Sequence, residues 1–353
     1  MATQVFYHQE PFTLESGVVL PQVHLAYTTL GTLNSRKDNV VWVFHALTAN
    51  SNPAEWWPGM VGEGKYFDPN RYFIICVNKP GSPYGSISPI SPNPETGKAY
   101  GLDFPVFTMR DMIRAYRLLR EHLGITSIYL GIGGSTGGMQ LLEWAIEEPA
   151  LFQHLIPIAT NAVFSPWGIA FNAAQRMAIE ADPTWKHADA EAGHRGLAAA
   201  RSIALLSYRN YLGYGITQTR DKPFVPLGPE VFYAADNYQR YQGMKLVNRF
   251  QALCYYRLTQ SMDAHDVGRN RGGVVAALSR IQVPTLIMGI QTDLLYPIAE
   301  QEFLRDHIRG AQLLTIQSDF GHDGFLLEYD KIEKAITQFL SDSSSSYLKI
   351  VNP

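Results

Sequence analysis

Gly133-Gly134-Ser135-Thr136-Gly137-Gly138 contains the pattern G-x-S-x-G, and its surroundings make the pattern chemically meaningful. The preceding stretch Ser127-Ile128-Tyr129-Leu130-Gly131-Ile132 reads as a buried strand, and Met139–Ile146 reads as a helix. A serine on a tight strand-to-helix turn has a strained backbone and projects its Oγ above the sheet. The helix N-terminus beneath it favours developing negative charge. Such a serine is an acyl-accepting nucleophile once a base can take its proton. A glycine-rich turn carrying an incidental serine is the alternative, and the strand-turn-helix context argues against it.

On this kind of turn the partners follow in the order serine, acid, histidine. Asp293 lies just past the strand Pro284–Gly289, within Gln291-Thr292-Asp293-Leu294-Leu295-Tyr296-Pro297. His322 lies in Gly321-His322-Asp323-Gly324, after the last strand, Leu313–Ile316. Of ten histidines it alone follows a late strand in a glycine-flanked loop; His307 falls in a helical stretch. Asp319 is the rival acid but stands too near His322 along the chain. Acyl transfer also needs donors for the oxyanion. The backbone N–H of Thr136, directly after the serine, is one. Leu47 N–H is the candidate for the other, in His45-Ala46-Leu47-Thr48-Ala49-Asn50, a segment that reads equally well as an ordinary strand exit.

These residues need a scaffold, and the periodicity supplies one. Val40–Phe44 and Tyr72–Val77 are near-continuous apolar runs, which suit parallel strands buried on both faces. The helical pattern Thr108–Leu123 separates them from Ser127–Ile132, and further strands are expected near His154–Ala159, Pro284–Gly289 and Leu313–Ile316. Strand and helix in alternation predict a parallel sheet with right-handed crossovers. The first 30 residues predict a β-hairpin turning at Glu15-Ser16-Gly17. Helical patterns at Ala170–Ala181, Leu197–Leu206 and Val247–Met262 predict that 165–280 is a helical insertion over the sheet's C-terminal edge. The core is then 1–164 with 281–340, closed by a helix near Asp330–Leu340, and 341–353 is a flexible tail.

Composition narrows the class. Among 353 residues 46% are hydrophobic and 17% charged, with a net charge of −3, so electrostatic capture of nucleic acid or an anionic membrane is not expected. No apolar run approaches the ~20 residues that cross a bilayer. The N-terminus has no secretory pattern. Cys76 and Cys254 stand far apart, as in a reduced cytoplasmic protein, with one isolated disulfide as the alternative. No Walker A, dinucleotide or zinc spacing is present, so neither a metal nor a bound cofactor is expected.

Taken together, the segments resemble the homoserine O-acyltransferase family, over about Phe12 to Phe339. The resemblance rests on His45-Ala46-Leu47-Thr48, Trp56-Trp57, Tyr84-Gly85-Ser86, Asp103-Phe104-Pro105, Arg110-Asp111-Met112, Gly137-Gly138-Met139-Gln140, Gln175-Arg176, and Gly321-His322-Asp323-Gly324-Phe325-Leu326. It implies the α/β-hydrolase fold, a mostly parallel central sheet with a helical lid insertion. It also implies acyl-CoA, acetyl-CoA or succinyl-CoA, as co-substrate, and a serine acyl-enzyme that passes its acyl group to the hydroxyl of L-homoserine. On this likeness Ser135, Asp293 and His322 form the triad, Arg176 contacts the amino-acid carboxylate, and Asp323 contacts its ammonium group. A zwitterion does require one cation and one anion. For Arg176 a helix-surface ion pair is the alternative, and for Asp323 loop solvation. A homodimer built through the insertion is likewise implied.

The chain departs from the family at Thr136, where methionine is usual, at Lys79-Pro80, which replaces an apolar pair, and at Gln251 and Leu253. These changes leave an L-serine O-acyltransferase in view, and the shared triad leaves a serine esterase or thioesterase of the same fold as a further alternative. The turn Gly268-Arg269-Asn270-Arg271-Gly272-Gly273 reads either as a CoA-phosphate contact or as a solvated charged turn.

Overall fold

Val40–Phe44 is apolar at every position because both of its faces are covered: Val40, Trp42 and Phe44 enter one core and Val41 and Val43 the other. The computed structural model describes residues 2–187, 189, 191–220, 225–227 and 230–351, the side chains of 225–232 and 343–351 excepted. Eight strands form the main sheet: β1 (Gln4–His8), β2 (Val23–Leu30), β3 (Val40–Phe44), β4 (Phe73–Val77), β5 (Ile128–Gly134), β6 (Phe152–Ile158), β7 (Leu286–Ile290) and β8 (Gln312–Ile316). Their order is β1-β2-β4-β3-β5-β6-β7-β8. From β4 to β8 every pairing is parallel, with Val41 opposite both Ile74 and Leu130 and Gly134 opposite Ile158. Only β1 and β2 run antiparallel to their neighbours. The sheet is thus the α/β-hydrolase arrangement that the resemblance implies.

The expected N-terminal hairpin is present in two pieces. β1 pairs with β2, and a separate ribbon of Phe12–Thr13 with Val19–Leu20 carries the turn, which closes on Leu14 N–H donating to Val18 O at 2.9 Å. Helix α1 (Met109–His122) begins at a capping box. The Thr108 hydroxyl accepts from Asp111 N–H, and the Asp111 carboxylate accepts from Thr108 N–H, each at 3.1 Å. Its face Met112, Ile113, Tyr116, Leu119 packs on the sheet beside α2 (Thr136–Glu147). The opposite face is covered by Ile332, Ile336 and Phe339 of a closing helix that runs Tyr329–Val351. This helix continues past Leu340, where the sequence reading began a flexible tail. Serine costs only a few tenths of a kcal/mol in a helix interior, and neither Gly nor Pro intervenes. Residues 352 and 353 lie outside the described residues.

Between β6 and β7 stand α3 (Pro166–Glu180), α4 (His194–Tyr208), α5 (Tyr211–Thr217), α6 (Ala234–Val247) and α7 (Ala252–Asp263). The helix expected over Val247–Met262 is α7, which begins five residues later, while Val247 ends α6. The chain breaks at 248–251, with Gln251 extended, and Phe250 is buried against the rings of Tyr84 at 5.6 Å and Tyr255 at 6.1 Å. Burial on both sides of the break keeps an apolar spacing that imitates one helix. A two-stranded ribbon, Val225–Leu227 with Glu230–Phe232, also interrupts the segment, which the helical reading did not anticipate.

Candidate active site

Ser135 joins β5 to α2 at φ 57° and ψ −125°, a conformation costly for any residue with a Cβ. The glycines around it answer a packing need. A methyl on Gly137 would fall 2.1 Å from Phe44 O, and one on Gly133 would fall 2.6 Å from the Gly137 backbone. Helix α2 therefore abuts the exit of β3, and Ser135 is left at the first turn, where backbone N–H groups have no intrahelical acceptor. Thr136 N–H is one of these. Ser135 is 5% exposed and opens onto a cavity of about 430 Å³.

Three strand exits meet at that cavity. Leu47 and its neighbours Ala46 and Thr48 follow β3, Ser135 follows β5, and His322 and Asp323 follow β8. His322 is 3% exposed, and its Nδ1 lies 2.6 Å from Asp293 Oδ2. Asp293, on the turn after β7, is fixed in its own right: Oδ1 accepts N–H bonds from Leu295 at 2.8 Å and Tyr296 at 2.9 Å. The imidazole is walled by Tyr296, nearly parallel at 5.1 Å, and by Phe325 at 5.3 Å and Tyr208 at 5.6 Å. Burial alone would lower the His322 pKa. The charge and hydrogen bond of Asp293, with a further pull from Asp323, outweigh it and hold the pKa above its usual value. With Nδ1–H engaged by the carboxylate, Nε2 is the lone-pair nitrogen, as a general base requires. The rival acid, Asp319, borders two neighbouring cavities instead.

The two charged residues implied as a zwitterion clamp part company. Asp323 borders the cavity. Arg176 does not: its Nη2 is 2.6 Å from Asp263 Oδ2 and its Nη1 donates to Thr259 Oγ1 at 3.2 Å, which ties α3 to α7. The cation beside Asp323 is Arg209, directly ion-paired to it at the end of α4 and also bonded to Tyr238 OH at 3.0 Å through Nη2. Sequence reasoning missed Arg209; nothing in the spacing around Tyr208-Arg209-Asn210 separates it from the other arginines of the segment. Residues of 165–280 also close the cavity with Arg201, Tyr208, Lys245 and Arg249. The turn at 268–273 is far from idle solvation. Arg269 pairs with Glu15 at 2.8 Å, and Arg271 pairs with Glu143 at 2.5 Å and Glu147 at 3.1 Å, so both guanidinium groups are spent inside the fold.

Comparison with known proteins places the chain in a family. The family profile described as the alpha/beta hydrolase fold matches residues 39–329. The chain is 44% identical to the homoserine O-acetyltransferase of Cyclobacterium marinum over 98% of this chain and 97% of that protein. It is 43% identical to the homoserine O-acetyltransferase of Salinibacter ruber over 95% and 96%. Among solved structures, the homoserine O-acetyltransferase of Bacillus anthracis superposes with a TM-score of 0.87 at 26% identity, covering 96% of this chain and 97% of that one. Esterase E22 superposes equally well, at 0.87 and 27% identity over 96% and 99%.

Proposed function

The chain belongs to the homoserine O-acetyltransferase family of the α/β-hydrolase fold and is an acyltransferase, and from that premise we propose that it acylates the hydroxyl of L-homoserine from acyl-CoA, by way of a Ser135 acyl-enzyme, in methionine biosynthesis. His322 Nε2 takes the Ser135 proton as Oγ attacks the thioester carbonyl. The oxyanion of the tetrahedral intermediate is met by the N–H groups of Thr136 and Leu47. Collapse breaks the C–S bond, and the imidazolium returns its proton to the leaving thiolate. In the second half His322 takes the proton of the acceptor hydroxyl, which attacks the acyl-enzyme, and Ser135 is restored.

The observation that carries transfer to an amino acid is the anion Asp323 on the triad cavity, with the cations Arg201, Lys245 and Arg249 on the same lining. A zwitterion can place its ammonium on Asp323 and its carboxylate on one of those cations, while Arg209, which borders the adjoining cavity, holds the Asp323 carboxylate in place. Arg201, Lys245 and Arg249 around the cavity favour an acyl donor that carries phosphates. The segment 165–280 is then the lid of this site. Its exposed Met177, Leu206, Tyr211 and Ile216 support a homodimer formed through the lid, and sedimentation as a monomer at micromolar concentration would remove that part of the reading. The two buried free cysteines support a cytoplasmic location; recovery of the native protein with its cysteines oxidised would count against it.

Ester or thioester hydrolysis is the second reading, favoured by the likeness to esterase E22. Thiol release from acetyl-CoA and succinyl-CoA, each with L-homoserine, L-serine or no acceptor, separates the two. Release that requires L-homoserine supports transfer and identifies the donor. Release indifferent to any amino acid assigns hydrolysis, and a requirement for L-serine moves the acceptor.

A further inference from the structure

Lys79 is 1% exposed, two residues past β4, and among the described residues no carboxylate pairs with it. Burying an ammonium group without a counter-ion is costly, and an apolar side chain of similar length would avoid that cost. Its partners are instead consecutive carbonyls of the loop after β3. Nζ donates to His45 O and, at 3.0 Å, to Ala46 O, and lies 3.2 Å from His45 Nδ1. Lys79 N–H donates in turn to His45 Nε2 at 3.2 Å, which leaves the ring proton on Nδ1, 2.8 Å from Ala46 O. Lys79 Nζ and the His45 ring thus converge on one short stretch of backbone.

The consequence follows from peptide geometry. In a planar trans unit the C=O of Ala46 and the N–H of Leu47 point in opposite directions. A cation fastened to Ala46 O therefore turns Leu47 N–H away from itself. Leu47 borders the cavity that holds Ser135 and His322. A positive charge on the carbonyl oxygen also polarises the unit and strengthens its N–H as a donor. We propose that Lys79 is a positioning residue of the acyl-transfer site, aiming and polarising the Leu47 N–H that receives the oxyanion. This rests on the Ser135 acyl-enzyme reading above.

The charge on Lys79 is conditional. Burial pulls its pKa down from 10.5 to about 7. The titratable groups that face it are the Cys76 thiol, pushed by burial up to about 12, and His45, held by burial well below its ordinary value. Both are neutral near pH 7, so the ammonium is present below about 7 and lost above it. His322 works only when neutral, on the opposite side of its own raised pKa. Acylation then rises as His322 deprotonates and falls several-fold as Lys79 does.

The test is the pre-steady-state acylation burst with p-nitrophenyl acetate from pH 5.5 to 9.5, in the wild type, Lys79→Met and Lys79→Gln. This ester reports acylation of Ser135 whether the acyl group later goes to an amino acid or to water, so failure of the acceptor assignment leaves the test intact. A Ser135→Ala control without a burst secures the acyl-enzyme itself. Lys79→Met is expected to lower the acylation rate constant about 10- to 100-fold, somewhat less than outright removal of an oxyanion donor. Its ester binding should stay within about threefold, since a misaimed donor acts on the transition state, and the alkaline fall should disappear. Lys79→Gln, a neutral donor, should lie between the two and also lack that fall. A folded Lys79→Met protein with wild-type acylation overturns the proposal. Where that variant fails to fold, the wild-type profile decides: a rate constant flat from pH 7 to 9.5 overturns it.

Discussion

Asp293→Asn is the substitution for which the structure dictates a chemical outcome rather than a mere loss of contact. The carboxylate is held from two sides: Oδ1 accepts from Leu295 N–H at 2.8 Å and Tyr296 N–H at 2.9 Å, while Oδ2 faces His322 Nδ1 at 2.6 Å. An asparagine must give its oxygen to the two backbone donors, so its NH₂ is turned toward Nδ1. That nitrogen must then accept, the ring proton moves to Nε2, and the imidazole can no longer take a proton from Ser135. Loss of the correct tautomer in a serine triad costs about 10⁴-fold in kcat, or roughly 5 kcal/mol of transition-state stabilisation. The pKa also reverses direction. With the carboxylate charge gone, burial dominates and Asp323 exerts only the smaller pull, so the acid limb of the pH–rate profile moves to lower pH. The assay is thiol release from acetyl-CoA over pH 5 to 9, with melting temperature as the control for folding. A folded variant within tenfold of wild type, or an acid limb that moves upward, would refute both the tautomer argument and the place of Asp293 in the triad.

Other outcomes follow from the same geometry. Ser135→Ala removes the nucleophile from a turn that its glycine neighbours still support; turnover should fall roughly 10⁶-fold with the melting temperature within about 3 °C, and retained acyl transfer would mean another nucleophile. Asp323→Asn should raise KM for the amino-acid acceptor about 10- to 100-fold, the worth of one charge-assisted hydrogen bond, while acyl-enzyme formation from the thioester persists. Arg176→Met should leave that KM unchanged and lower stability by about 1–2 kcal/mol through the lost bridge to Asp263; a selective rise in acceptor KM would return Arg176 to the site. Gly137→Ala places a methyl 2.1 Å from the Phe44 carbonyl oxygen and should cost more than about 3 kcal/mol in urea unfolding or prevent folding; a wild-type midpoint would contradict the packing of α2 on the β3 exit.

The strands, the elbow and the two positions that meet in the Asp293–His322 hydrogen bond were legible because each is a local signal. Val40–Phe44 is apolar throughout, Ser135 is framed by glycines between a strand and a helix, and His322 follows the last strand between Gly321 and Asp323. The break at 248–251 escaped because burial of Phe250 preserves helical periodicity across a turn. Arg209 escaped for a different reason. Its meaning lies in a partner 114 residues away, Asp323, and in the way α4 packs against the His322 turn, so no window of sequence contains the pair. Arg176 is the converse case: a basic residue next to recognisable motif residues, whose guanidinium pairs with Asp263 within the helix pair α3 and α7. Lys79 stands between the two. Its departure from the family pattern was visible, but whether it faced solvent, a phosphate or its own backbone depended on β3 and β4 lying side by side, with Val43 opposite Cys76. That pairing brings the end of one strand under the loop of the other, and only then does a lysine in an apolar position become a cation placed behind the peptide unit of a proposed oxyanion donor.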